Sequence, residues 1–267
     1  MYKADYHTHT ELSLDSMAPM EDQVKQAISL GFSEMVITDH HESLAPEEKY
    51  FLETDLSDYI KHFNTIKEKY KNQINLKLGA EIGYEARGKD VLDKFIQDNP
   101  FEFVICSMHS QEGEDFYFGS FFANKTKKDA FTQYFQAVKD CISEFKNFDV
   151  IGHLDFICRY GNYPNHDLNY LDYKEIIDDI LKILISNHKG IEMNTSGLRY
   201  GVGHMHPRLD IIKRYKELGG EIITIGSDAH TPRDIGADHE YARSLLKEAG
   251  FEYFTTFNNR KPEFRKL

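Results

Sequence analysis

One rhythm constrains this chain more than any other feature. A short apolar run, a polar loop and an amphipathic helical stretch follow one another seven times without interruption. The apolar runs lie at 4–7, 35–39, 76–81, 103–107, 150–153, 191–194 and 222–226, each of a length suited to a fully buried strand. Helical spacing follows at 19–30, 55–70, 89–97, 127–145, 170–187, 207–218 and 234–248. The first helix shows the usual punctuation, with Pro19 at its start and Gly31 just past its end. Alternating strands and helices pair their strands in parallel, because each helix carries the chain back across the sheet. Seven such units over 267 residues, with no Gly/Ser or Pro-rich linker, predict one α/β domain over 1–267 closed into a seven-stranded, TIM-like (β/α) barrel. An open doubly wound sheet is the alternative, but the GxGxxG loop expected after its first strand is replaced here by "HTHTELSLDS". A last apolar run at 253–257 is expected as an extra edge strand.

In such barrels chemistry gathers on the loops at the C-terminal ends of the strands. Those ends read "HTH", "TDHH", "GAEIGYE", "SMHS", "GHLD", "EMNTSGLR" and "GSDAH". The metal-ligand candidates are therefore His7, His9, Asp15, His40, Glu81, His109, His153, Asp228 and His230. Residues two apart on an extended strand share a face, so His7 with His9, and Asp228 with His230, can grip one ion together. Imidazole and carboxylate without thiolate suit zinc, manganese or iron. Nine ligands exceed what one ion takes and suit two or three divalent ions, with Glu81 and Asp228 as bridges and catalytic groups. Paired ions serve phosphoryl chemistry, one activating water and both neutralising phosphate oxygens. Arg159 and Arg199 lie on the same loops, and their planar guanidinium forks match phosphate.

The remaining histidines receive plainer readings. His62 and His239 are placed on solvated helix faces, His188 near a helix C-terminus, His166 in a polar loop, and His41 merely beside His40. The second H-x-H, His204–His206, stands open between a substrate contact or proton donor and an ordinary helix-entry loop. Glu42 and Glu85 are candidates for selecting a cationic substrate at the barrel mouth.

Composition narrows the partners. Lysine and arginine number 32 against 44 acids, a net charge of −12, which opposes binding to nucleic acid or anionic lipid and suits a small substrate. The longest apolar stretch, "IIDDILKILI", is interrupted by charge, so no membrane span is expected. No secretory leader is read at the start, and three scattered cysteines, Cys106, Cys141 and Cys158, are expected as buried free thiols, which points to the cytoplasm.

"YHTHT", "SLDS", "VITDHH", "GAEIGYE", "SMHS", "IGHLDF", "EMNTSGLR" and "TIGSDAH", in that order over residues 6 to 230, resemble the PHP (polymerase and histidinol phosphatase) family. The resemblance implies a distorted seven-stranded β/α barrel and a trinuclear metal centre. His7, His9, Glu81 and Asp228 would hold the first ion; Glu81, His109 and His153 the second; Asp15, His40 and His230 the third. Some relatives carry histidine where this chain has Asp15. "NTSGLR" and the chain length point to the histidinol-phosphatase branch. The implied reaction is hydrolysis of L-histidinol phosphate by in-line attack of a metal-bridging hydroxide, with Arg159 and Arg199 on the phosphate. Competing expectations are a phosphoesterase acting on nucleotides or nucleic-acid ends, and a non-catalytic metal-binding barrel, which predicts missing ligands.

Overall fold

The structure is a computed structural model and describes residues 1–42 and 55–267. Its strands in chain order are β1 (Ala4–Asp5), β2 (Glu34–Ile37), β3 (His40–Glu42), β4 (Asn75–Gly83), β5 (Phe103–Ser107), β6 (Ser110–Gln111), β7 (Glu114–Asp115), β8 (Val150–Ile151), β9 (Gly190–Asn194), β10 (Ile223–Gly226), β11 (Tyr253–Asn258) and β12 (Lys261–Lys266). Seven of them form a parallel sheet in the order β1-β2-β4-β5-β8-β9-β10, and short β3 adds to the far end of β4. The ends of this sheet meet: Tyr6 N donates to Ile225 O at 3.0 Å, Asp228 N to His7 O at 2.8 Å and His9 N to Ala229 O at 2.9 Å. The seven-stranded barrel expected from the sequence is thereby closed.

The strands are buried on both faces, as the unbroken apolar runs require. The flanking helices each turn one stripe inward. In the helix Lys174–Ser186 that stripe is Ile177, Ile180, Leu181 and Leu184, at the spacing of one helical face. The first helix, Met20–Ser29, ends at Gly31, whose φ of +73° suits glycine. There Gly31 N donates to Ile28 O and Phe32 N to Ala27 O, the paired bonds of a Schellman cap. The helix expected from 234 begins at His239, after a short turn at Pro232–Asp234.

The last apolar run departs from expectation. β11 pairs antiparallel with β12 in a separate hairpin and adds no edge to the barrel. Phe257 of that hairpin packs on Tyr6 and Phe103 at ring separations of 6.2 and 5.0 Å. The run is apolar because it plugs the floor of the barrel. The three cysteines are free and buried, and among the described residues no helix is long and apolar enough to cross a membrane.

Candidate metal centre

The backbone at the strand ends brings the predicted ligands to one place. Beyond β1, alternation turns His7 and His9 into the barrel while Thr8 points away, bonding Val36 O at 2.8 Å. The β3–β4 register sets His40 directly opposite Glu81. His109 follows β5, His153 follows β8, and Asp228 follows β10 in a left-handed conformation at φ +54°. Such a conformation is uncommon outside glycine and is tolerated where the surroundings over-determine it.

All nine predicted ligands converge. Glu81 sits at the hub: Oε2 lies 3.1 Å from His7 Nε2, 3.5 Å from His9 Nε2 and 3.0 Å from His40 Nδ1. Its other oxygen lies 2.9 Å from His153 Nε2 and 3.4 Å from His109 Nε2. Asp228 Oδ1 stands 3.4 Å from His9 Nε2 and 3.8 Å from His7 Nε2. Asp15, half exposed, reaches His230 Nε2 at 3.0 Å and His40 Nε2 at 3.6 Å. Proximity here is not pairing. His7 Nε2, His9 Nε2, His40 Nδ1, His230 Nε2 and Glu81 Oε2 are buried and have no hydrogen-bond partner. An unsatisfied buried polar group costs on the order of 1–3 kcal/mol, so a cluster of them facing one another fits residues arranged for cations.

Four of the six rings are held from behind through Nδ1, whereas His153 Nδ1 is buried without a partner. His7 Nδ1 lies 2.6 Å from Glu192 Oε1, His109 Nδ1 2.7 Å from Glu42 Oε1, and His230 Nδ1 3.0 Å from Asp228 O. His9 Nδ1 meets Ser13 Oγ at 3.0 Å, and Ser13 donates to Asp39 Oδ1 at 2.7 Å. A ring whose Nδ1 proton is committed to an acceptor presents a bare Nε2 for a metal.

The electrostatics agree. Burial disfavours a charged His7, yet Glu192, Glu81 and Asp228 outweigh it and hold the ring well above the ordinary histidine range. Burial is likewise outweighed at His109 by Glu42 and Glu81, and at His40 by Glu81 and Asp15, which bring His40 to about 9. His9 goes the other way, pushed down to about 3 by burial and by its neighbours His230 and His40. Against burial, His7, His40 and His109 hold Glu81 far below the usual carboxylate range. The raised rings report the negative field of Glu81, Asp228, Glu42, Asp15 and Glu192, a field that also favours cations.

The two arginines border this pocket. Arg159 Nη2 donates to Ser196 Oγ at 2.6 Å and lies 3.8 Å from Asp228 Oδ2, with its guanidinium stacked on Phe156 and Tyr200. Arg199 donates to Ser227 O and Asp228 O. Arg159 Nε and Arg199 Nη1 are buried without partners. Several plainer readings change. Glu42 backs His109 through Oε1, and Glu85 accepts from Ser110 Oγ and the amides of Glu112 and Gly113. His239 is buried against Phe32 and lies 3.6 Å from Asp5, not solvated. His41 packs on Phe95 and Phe101. His206 is buried with Nδ1 on Asp155, while His204 bonds Met205 O at 2.8 Å.

Glu192, Asp39 and Ser13 went unnoticed in the sequence. The one available signal was a glutamate inside the apolar run "GIEMN", since a charge on a buried strand implies a partner.

The sequence matches the PHP domain family over residues 5–196. It is 33% identical over 267 residues to a histidinol-phosphatase of Lactococcus lactis subsp. lactis (strain IL1403), covering 100% of this chain and 98% of that protein. It is 30% identical over 254 residues to a "Probable histidinol-phosphatase" of Clostridium acetobutylicum, covering 93% and 94%. Among solved structures, the Lactococcus lactis histidinol phosphate phosphatase complexed with zinc, L-histidinol and phosphate matches with a TM-score of 0.91 at 34% identity, covering 98% of both chains.

Proposed function

The chain belongs to the PHP domain family, and on that premise we propose that it is a metal-dependent phosphatase hydrolysing L-histidinol phosphate to L-histidinol and phosphate, a cytoplasmic step of histidine synthesis. The observation that carries this reading is the full-length likeness to a histidinol-phosphatase, with 33% identity and no missing stretch of the barrel. The convergent, unpartnered ligand atoms support the metal dependence.

His7, His9, Glu81 and Asp228 would hold one divalent ion, Glu81, His109 and His153 a second, and Asp15, His40 and His230 a third, zinc, manganese and iron all suiting these donors. Bound ions activate water and neutralise the phosphate oxygens. The chain's own residues supply the rest. Arg159, its guanidinium carbon 4.7 Å from the Phe156 ring centre and 4.0 Å from that of Tyr200, offers its fork to the phosphate. Arg199, anchored on the carbonyls of Ser227 and Asp228, brings a second positive charge to the same edge. Both act where negative charge grows in the transition state. Beside Arg159 a cavity of about 540 Å³, walled by Tyr117, Phe118 and Tyr160, has room for a small monoester.

Phosphate release separates this reading from its rivals. With zinc or manganese present, histidinol phosphate is expected to be hydrolysed far faster than nucleoside monophosphates, and single-stranded DNA not at all. Equal rates on histidinol phosphate and a nucleotide would overturn the assignment.

A further inference from the structure

We infer that Glu192 is a positioning residue that dictates which nitrogen of His7 carries its proton, and so keeps Nε2 bare toward the ion. This rests on reading His7 as a metal ligand. Glu192 lies on β9 and is fully buried. Its Oε1 sits 2.6 Å from His7 Nδ1. Its Oε2 accepts two donors that cannot turn away. One is the backbone amide of His153 at 3.0 Å; the other is Asn194 Nδ2 at 3.1 Å. Asn194 is itself fixed, because its Oδ1 accepts from Ser196 N at 2.9 Å and Ser196 Oγ at 2.6 Å. The carboxylate has no room to pivot. A Cβ at Gly226 would fall 2.3 Å from Glu192 Oε1 and 2.5 Å from the His7 Cβ, which is why glycine stands there.

These constraints make Glu192→Gln an unusual substitution. The Gln oxygen must take the Oε2 position, since the His153 and Asn194 donors leave no alternative. Its amide N–H then points at His7 Nδ1, which has to accept. Asn194 Nδ2, 3.4 Å from the same nitrogen, supports that arrangement. The His7 proton moves to Nε2 and faces Glu81 and Asp228, where the ion belongs. An isosteric change thus produces the wrong tautomer, as it does for an imidazole oriented by a carboxylate in hydrolases. Glu192→Ala removes the partner and leaves the ring free to choose.

The ranking of the two variants is the test. Zinc affinity is measured by chelator competition on the wild type, Glu192→Gln and Glu192→Ala, with folding followed by circular dichroism. Glu192→Gln is expected to lose roughly 10- to 100-fold in affinity, and Glu192→Ala less. A purely structural role predicts the opposite order, with the cavity and the stranded His153 amide making alanine the worse change; that order overturns the inference, as does a Glu192→Gln protein that binds zinc like the wild type. A second readout needs no variant. In the cobalt-loaded wild type, proton NMR should show a hyperfine-shifted, slowly exchanging N–H from His7 Nδ1, and its absence overturns the inference. A wild type that binds neither zinc nor cobalt defeats the metal reading itself, and this inference with it.

Discussion

Two ionic clusters lie buried in this barrel, one at each end, and they are built on opposite terms. At the floor, Glu34 accepts from Tyr2 OH at 2.9 Å, Asn75 Nδ2 at 2.7 Å and Tyr6 OH, and pairs with Lys77 Nζ at 2.9 Å. Lys77 donates further to Phe257 O, and Phe257 N to Tyr6 OH. The polar groups that meet there are matched. At the mouth, ring nitrogens and carboxylate oxygens crowd together at comparable distances and leave several atoms unmatched. A buried charge is tolerated when its partners are present. The floor has them within the chain, whereas the mouth requires ions. The first arrangement belongs to stability and the second to chemistry, and mutations should separate the two.

The largest effect is expected at the hub of the mouth. Glu81→Ala removes the carboxylate shared by five histidines. Turnover should fall by about a thousandfold or more, several kcal/mol of transition-state stabilisation, with bound metal reduced in elemental analysis. Retained activity breaks the contrast at once. The floor should respond in the other currency. Glu34→Ala strands Lys77 and should destabilise the fold by about 3–5 kcal/mol in urea unfolding, while the metal content of the folded fraction stays at the wild-type level. Replacing both partners, as Glu34→Leu with Lys77→Met, should be far milder, because nothing charged is left buried. Chelation is the complementary experiment. Ions bound only by the folded state stabilise it by mass action, so removing them should lower the melting temperature of the wild type but barely that of Glu81→Ala.

The two clusters also differ in how far a sequence reveals them. The ligands of the mouth stand out because strands end there, and a histidine or acid at six of the seven strand ends, with Arg199 after the remaining one, forms a pattern in one dimension. The parallel barrel was legible for a related reason: strands buried on both faces leave unbroken apolar runs. What holds the ligands was not legible. Glu192 meets His7 across 185 positions, and Asp39 reaches His9 only through Ser13, contacts that closure of the barrel creates. The floor is equally hidden, since Glu34 and Lys77 meet only when β2 pairs with β4, and Phe257 joins them only when the hairpin β11–β12 packs beneath. His239 was misplaced because a histidine in a helix's first turn looks solvated until Asp5, near the other end of the chain, is packed beside it.

A third cluster, on the outer wall, should behave like the floor, with a smaller effect. Asp178 accepts from Tyr170 OH at 2.6 Å, Lys174 Nζ at 2.7 Å, and both Nε and Nη2 of Arg214 at 2.9 and 2.8 Å. Arg214 is the main reason its carboxyl is held well below the usual range; burial opposes it, and Lys174 and Tyr170 add to the lowering. A carboxyl with a lowered pKa in the folded state contributes stability that is present above its unfolded value of about 3.9 and is lost as the pH falls from there toward the folded value. Asp178→Asn should therefore cost about 1 kcal/mol at pH 7, discounted because Arg214 and Lys174 remain in contact with solvent. The gap between variant and wild type should begin to narrow below about pH 3.9, as the unfolded wild-type carboxyl takes up a proton that the folded one still refuses. Urea unfolding at pH 7 and pH 3 measures both values. A gap that persists unchanged at pH 3 would mean that the contacts of Asp178 act through packing and not through charge, and the kinship with the floor would fail. Metal content at pH 7 should be untouched, because nothing at the outer wall is left waiting for an ion.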